Sequence, residues 1–313
     1  MSYAVIGASG NTGRRVVEGL LAQGAEVRAI ARTAMKLAPL AKKGVRIYEG
    51  SIVDSGFLTD VFDGVSAVYS MIPPDLSVPD VRAYYGKLGE SIATALTATG
   101  VKYVVSLSSQ GANLTDKTGP IAGLHDQEQR LNKLSGVNVV HLRATFFMEN
   151  LLQNIPVIKS LGVMATPLRG DLSVGMIATR DIGDAAVQHL LAMDFQGHVV
   201  HDLLGPRNVT MDEAARILGK AIGKPDLKYV QAPYAQAEQS MRAAGISAGV
   251  ARTFTEMYRA FNEGLITMLA RTAGNTTPTT LESFSAVFAA AFRKSLSENP
   301  LSPVGFRIGS KSV

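Results

Sequence analysis

The chain has 313 residues, 46% hydrophobic and 18% charged, enough apolar material for a large core and a compact globular fold. It has no cysteine, which excludes disulfides, a thiol nucleophile and thiolate-bound zinc. The formal charge is +5, but Lys and Arg are scattered, with only short pairs such as Arg14-Arg15 and Lys42-Lys43, which argues against direct nucleic-acid binding.

The first residues run straight into an apolar strand, without a basic leader. No later run approaches the ~20 apolar residues of a membrane span, so a cytoplasmic location is expected.

Up to about residue 145, short β-rich runs alternate with helical stretches, the pattern of a parallel sheet covered on both faces. Strands are expected at 3–6, 26–31, 45–48, 67–71, 101–107 and 138–142, with helices at 13–23, 55–62, 81–99 and 125–134. Gly24, Gly64, Gly100 and Gly136 follow these helices as left-handed C-caps.

The rhythm then weakens through a helical stretch at 149–161 and a loop-rich segment to Met176. A helix at 180–193 and a strand at 199–204 return to the main sheet. Thr210 and Glu213 form a capping box for a helix to Ala221, and helices at 247–262 and 281–297 flank a polar linker at 272–280. The expected architecture is a doubly wound α/β Rossmann domain over 1–150, rejoined by 177–204. A smaller, mainly helical substrate domain is expected over 151–176 and 205–313.

The first strand and first helix enclose Gly7-Ala8-Ser9-Gly10-Asn11-Thr12-Gly13. Glycines here permit a tight turn and let backbone N–H groups approach a pyrophosphate at the positive end of the helix, so the turn points to a dinucleotide. After the second strand stands Arg32, with Lys36 one turn on, where an NAD site commonly has an acid. A guanidinium there pairs with a 2′-phosphate, favouring NADP over NAD, unless Arg32 only stacks on adenine or is solvated; Arg14 is a second candidate.

The chain resembles the NmrA-like family of atypical short-chain dehydrogenase/reductases, which includes quinone and azo-dye reductases and NAD(P)-sensing regulators. The resemblance rests on residues 7–13, on Val104-Val105-Ser106-Leu107-Ser108-Ser109, and on 136–143. It continues in Phe146-Phe147-Met148-Glu149-Asn150-Leu151, Ala178-Thr179-Arg180-Asp181-Ile182 and Thr277-Pro278-Thr279-Thr280-Leu281-Glu282.

It implies adenosine near Arg32, Ser51 and Ile52, although the family often has Asp where Ser51 stands. It implies the nicotinamide half near Ile72, Pro73, Pro74, Ser108, Ser109 and Phe146, with Phe147 and Met148 on the acceptor side, while a plain core role stays equally open for each of Phe146, Phe147 and Met148. The Tyr-x-x-x-Lys pair of the wider superfamily falls on Ile121 and His125. His125 then either holds the ribose, donates a proton, or is a helix-start residue with no chemical role.

Asp126, Glu128 and Arg130 read as a solvated face. Tyr234, with Met241, Met257, Met268, Tyr258 and Phe261, either lines a pliable apolar pocket or packs helices. His198 and His201 make no complete metal set. The expectation is an NADPH-dependent reductase of a small, apolar, conjugated acceptor, or a cofactor-sensing regulator on the same fold, with a homodimer left open.

Overall fold

A computed structural model describes residues 1–298. Its first half contains β1 (Ser2–Val5), α1 (Asn11–Ala22), β2 (Glu26–Ala31), a 3₁₀ turn (Ala34–Leu37), α2 (Ala38–Ala41), β3 (Arg46–Glu49), α3 (Ser55–Phe62) and β4 (Ala67–Ser70). Then come α4 (Val81–Thr99), β5 (Tyr103–Ser109), α5 (Pro120–Leu131), β6 (Asn138–Ala144) and β7 (Phe146–Phe147).

A 3₁₀ segment (Met148–Asn154) leads to α6 (Ile155–Leu161), β8 (Val163–Thr166), β9 (Val174–Ile177), α7 (Thr179–Ala192), β10 (His198–Leu203) and β11 (Asn208–Val209). The described chain closes with α8 (Met211–Ala221), β12 (Lys228–Gln231), α9 (Tyr234–Ala243), α10 (Ala248–Asn262) and α11 (Leu281–Glu298).

The main sheet has seven strands in the order β10-β6-β5-β4-β1-β2-β3, every pairing parallel. Its strands alternate sides. Tyr3 and Val5 of β1 join Val16, Val17 and Leu20 of α1 and Ile182, Ala186 and Leu190 of α7. Ala4 joins Leu58 of α3, with Leu88, Ile92 and Leu96 of α4, on the opposite face. Burial of both faces explains why these strands read as near-continuous apolar runs.

Local chemistry sets the helix ends. Asp54 and Asp80 accept from Phe57 N and Ala83 N as N-caps of α3 and α4, and Gly100 ends α4 at φ +65°. Thr210 accepts from Glu213 N at 3.1 Å, but the Glu213 carboxylate pairs with Arg207, so only half of the capping box is used for capping.

The smaller region is mainly helical, through α6, α8, α9, α10 and α11, with short strands added: β7, β9 and β11 form a three-stranded sheet and β8 pairs with β12. Two sequence expectations are corrected. Helix 149–161 starts as 3₁₀ and becomes α only at Ile155. Helix α5 begins at Pro120, five residues before His125; Gly119, at φ +62°, starts it because a Cβ there would lie 2.2 Å from Thr253 O. Residues 299–313 of the proposed substrate domain lie outside the described residues. Among those described, no helix is long and apolar enough to cross a membrane.

Two clasps join three of the resembling motifs. Glu149 accepts from Thr179 N at 3.0 Å and from Thr179 Oγ1 at 2.6 Å, at the start of α7. Asp181 accepts from Thr279 N at 3.0 Å and Thr279 Oγ1 at 2.6 Å, tying the approach to α11 to the same helix end.

On β6, His141 is 1% exposed, with Nε2 2.8 Å from Asn132 Oδ1 and no partner for Nδ1. Burial pulls its pKa from 6.5 down to about 4. The unfolded chain takes this proton below about 6.5 and the folded chain only near 4, so stability is lost as pH falls through that window, by up to about 3 kcal/mol. Urea midpoints of the parent and His141→Phe should diverge with pH there. A pH-independent difference between them would remove this account.

Candidate cofactor and acceptor site

β1 lies between β4 and β2, so the strand order reverses at its carboxyl end, where open α/β sheets hold ligands. The chain leaves β1 through Gly7 at φ +71°, where a Cβ would lie 2.6 Å from Met71 Sδ. Gly10 N donates to Gly7 O at 2.8 Å, and Arg14 N to Gly10 O at 2.9 Å, closing the turn onto α1. A Cβ on Gly13 would stand 2.3 Å from Gly7 O, so Gly13 lets the helix sit against the turn.

At Gly10 a Cβ would meet only Gly7 O, at 3.3 Å, and Ser9, Gly10 and Asn11 are exposed. No side chain caps α1 and no acid occupies its first turn, so its amide end is open to an anion and the turn fits a pyrophosphate. Thr12 is buried and its hydroxyl accepts from Tyr69 OH at 3.0 Å, which fastens α1 to β4.

Arg32 follows β2 and is exposed; its Nη1 stands 3.9 Å from Asp75 Oδ2, a loose pair. Lys36 is exposed in the 3₁₀ turn. Ser51 is exposed and accepts from Val53 N at 3.4 Å, while Ile52 enters the core under α3. Ile72 is buried, Pro73 half-buried and Pro74 exposed. Their loop is pinned to α10, because Ser247 N donates to Leu76 O, Ser247 Oγ to Val78 O, and a Cβ on Gly249 would lie 1.8 Å from Pro79 O.

At the end of β5, Ser108 is 4% exposed and donates to Glu128 Oε1 at 2.5 Å. Glu128, 2% exposed, takes both arms of Arg143 of β6, from Nε at 2.9 Å and Nη2 at 2.5 Å. Arg143 is thereby held above the ordinary guanidinium pKa, chiefly by this hydrogen bonding. Glu128 is thus no solvated residue; an arginine on a covered strand demanded an acid, and that was the signal for it in the sequence. Asp126 and Arg130 are half-buried, Asp126 paired with Arg82 and Arg130 with Glu90 and the buried Gln127. Ser109 is half-buried and donates to Gln110 O at 3.0 Å.

His125 is half-buried on α5, with Nδ1 2.8 Å from Ala112 O. A carbonyl only accepts, so the proton of the neutral ring sits on Nδ1 and Nε2 keeps its lone pair. Ile121, one turn earlier, is buried in an apolar cluster with Ala112, Ala260 and Ile266.

Phe146 pairs with Met176 in the small sheet, and Phe147 packs on the main core. Met148, 1% exposed, packs among Ile155, Met176 and Phe288, the core role that the sequence left open beside an acceptor wall. The Tyr234 hydroxyl accepts from Asn262 Nδ2 at 2.7 Å and its ring lies 4.6 Å under Arg259, which makes it a brace between α9 and α10. His201 bridges His189 and Gly274 O, both by ring nitrogens.

One wall was not visible in the sequence. After α10 an irregular strap crosses the carboxyl ends of the strands. Gln110 Nε2 donates to Thr267 O at 2.6 Å beside β5, while Leu204 N donates to Asn275 O and Thr277 N to Leu204 O beside β10. It lacks the periodicity that reveals helices and strands.

The profile of the NmrA-like family matches residues 2–284. The chain belongs to that family. Within it, the NAD(P)H azoreductase of Xenophilus azovorans is 28% identical over 292 residues, covering 92% of this chain and 98% of the relative. The (4-alkanoyl-5-oxo-2,5-dihydrofuran-3-yl)methyl phosphate reductase of Streptomyces griseus is 31% identical over 221 residues, covering 71% of this chain and 74% of the relative. Among solved structures, an NADPH-dependent quinone oxidoreductase from Escherichia coli complexed with NADPH shares the fold, with TM-score 0.76 and 22% identity over 92% of this chain and 99% of its own.

Proposed function

We propose that this NmrA-like chain, an NAD(P)H-dependent reductase, passes hydride from NADPH to an apolar conjugated acceptor such as a quinone, an azo compound or an activated double bond. The observation that carries this reading is the burial of Ile121, an aliphatic side chain at the position where the resemblance puts the superfamily's proton-donating tyrosine. A conjugated acceptor spreads the incoming charge, so its reduction needs no strong general acid at that position. The names of the azoreductase and furan-phosphate reductase relatives agree in reaction class.

When bound, the nicotinamide supplies the hydride. The amide end of α1 and the Gly7–Gly13 turn would hold the pyrophosphate, and Arg32 and Lys36 would pair with a 2′-phosphate. Phe146 and Phe147 would wall the reacting face and exclude water. An NADPH-oxidation screen across quinones, azo dyes and activated alkenes, with cofactor affinities measured in parallel, should find steady turnover with at least one class. Tight NADPH binding without turnover on any of them would leave a cofactor-sensing protein instead.

Arg32→Asp should weaken NADPH on the order of a hundredfold and NADH only slightly, since an attraction to the 2′-phosphate becomes a repulsion. Equal losses for both cofactors would mean that Arg32 does not read that phosphate.

The Nε2 lone pair of neutral His125 suits a hydroxyl donor, so we assign it to the nicotinamide ribose. His125→Ala should raise the Kd for NADPH roughly tenfold, with single-turnover hydride transfer at saturating cofactor altered less. The reverse split, a slow chemical step at unchanged affinity, would make it a proton donor.

A further inference from the structure

On the strap, Arg271 is half-buried and has no carboxylate within ion-pair distance among the described residues. Arginines near the same end of the sheet are neutralised: Arg143 by Glu128, Arg180 beside Asp181, and Arg207 between Glu213 and Glu282. Arg271 instead donates from Nε to Gly205 O at 2.9 Å and from Nη2 to Asn208 Oδ1 at 2.5 Å, both neutral acceptors. Burial alone lowers its pKa, with no acid to offset it. These two bonds fix one edge of the planar guanidinium, leaving the terminal Nη1/Nη2 edge, whose spacing matches two oxygens of an oxyanion.

Its place follows from the sheet order. The strap is bonded beside the end of β5 at Thr267 and beside the end of β10 at Asn275 and Thr277, and β6 lies between those strands. Residues 268–271 therefore cross the carboxyl end of β6, where the chain continues into Phe146 and Phe147. Gly205, which takes the Arg271 Nε proton, is packed so closely on Met176 that a Cβ would stand 1.7 Å from Met176 O, and Met176 is the strand partner of Phe146. The pyrophosphate turn belongs to β1, three strand spacings from β6 and thus roughly 14 Å away.

We infer that Arg271 binds an anionic substituent of the acceptor, a sulfonate, carboxylate or phosphate carried on its conjugated frame. This rests on the reductase reading. A half-buried charge without a counter-charge is costly, and an oxyanion held by two charge-assisted hydrogen bonds offsets that cost only when the acceptor is bound.

The test compares 1,4-naphthoquinone with 1,4-naphthoquinone-2-sulfonate in the parent, Arg271→Gln and Arg271→Lys, each checked for folding by circular dichroism. Arg271→Gln should lower the ratio of kcat/KM for the sulfonate over that for the parent quinone at least tenfold. Arg271→Lys, which keeps the charge but loses the fork, should fall between. Calorimetric binding of the sulfonate to NADP⁺-loaded protein, where no turnover occurs, should weaken by a similar factor.

An unchanged ratio and unchanged sulfonate affinity in Arg271→Gln would overturn the inference. So would an equal loss of NADP⁺ affinity without quinone, which would assign Arg271 to the cofactor. If the parent shows no NADPH oxidation with any acceptor offered, yet Arg271→Gln still loses sulfonate affinity, the reductase reading fails and the anion site stands.

Discussion

A Gly10→Val variant should fold like the parent and bind NADPH on the order of a hundredfold more weakly or not at all. The fold needs only a small local adjustment, since Gly10 is extended at φ −86° and its Cβ would meet only Gly7 O, at 3.3 Å. The ligand does not tolerate it, because the valine methyl groups would take the space in which backbone amides approach the pyrophosphate. Gly13→Val is the informative contrast: its Cβ would lie 2.3 Å from Gly7 O, so it should lower the unfolding midpoint as well. Unaltered NADPH affinity in folded Gly10→Val would place the cofactor elsewhere and remove the basis of the functional reading.

The second large effect is expected from Glu128→Ala, at about 3–5 kcal/mol of stability, the usual cost of leaving a buried charge unpaired. The Glu128 side chain is 3% exposed and that of Arg143 18%, so water cannot replace the lost carboxylate. Ser108 would lose its acceptor as well, and with it the fixed orientation of a hydroxyl at the end of β5. Urea denaturation measures the loss, and Glu128→Leu combined with Arg143→Met should recover much of it by removing both charges. A loss below about 1 kcal/mol for Glu128→Ala would class the pair with surface salt bridges.

Much of the Rossmann half was legible because its signals are local. The sequence placed 26–31, 55–62 and 81–99 on the same residues as β2, α3 and α4, since turn residues, caps and periodicity agree there. The strands β7, β8, β9, β11 and β12 are two to four residues long and exist only through partners far away in the chain, so no window of sequence announces them.

The early start of α5 was hidden by Gly119, Pro120 and Gly123. Gly123 reads as a loop residue, yet it sits inside the helix because the Tyr85 ring occupies the space where its Cβ would be, at 2.8 Å. Within the candidate site, the glycine turn and the place of Arg32 after β2 are local features of the sequence. Glu128 was obscured by its polar neighbours, and Arg271 by a segment whose place depends on the finished sheet.

The strap has a consequence for how such a chain diversifies. Its attachments through Thr267 O, Asn275 O and Thr277 N are main-chain groups, indifferent to side-chain identity. Met268 and Ala270 are exposed and Leu269 half-buried, and none of the three contributes to those attachments. Point changes at 268–270 can therefore alter the shape and polarity of the strap without disturbing the sheet or the glycine turn. On the reading proposed for Arg271, selection for a new acceptor then has three adjacent positions to work on, a short mutational path to altered specificity at little risk to folding.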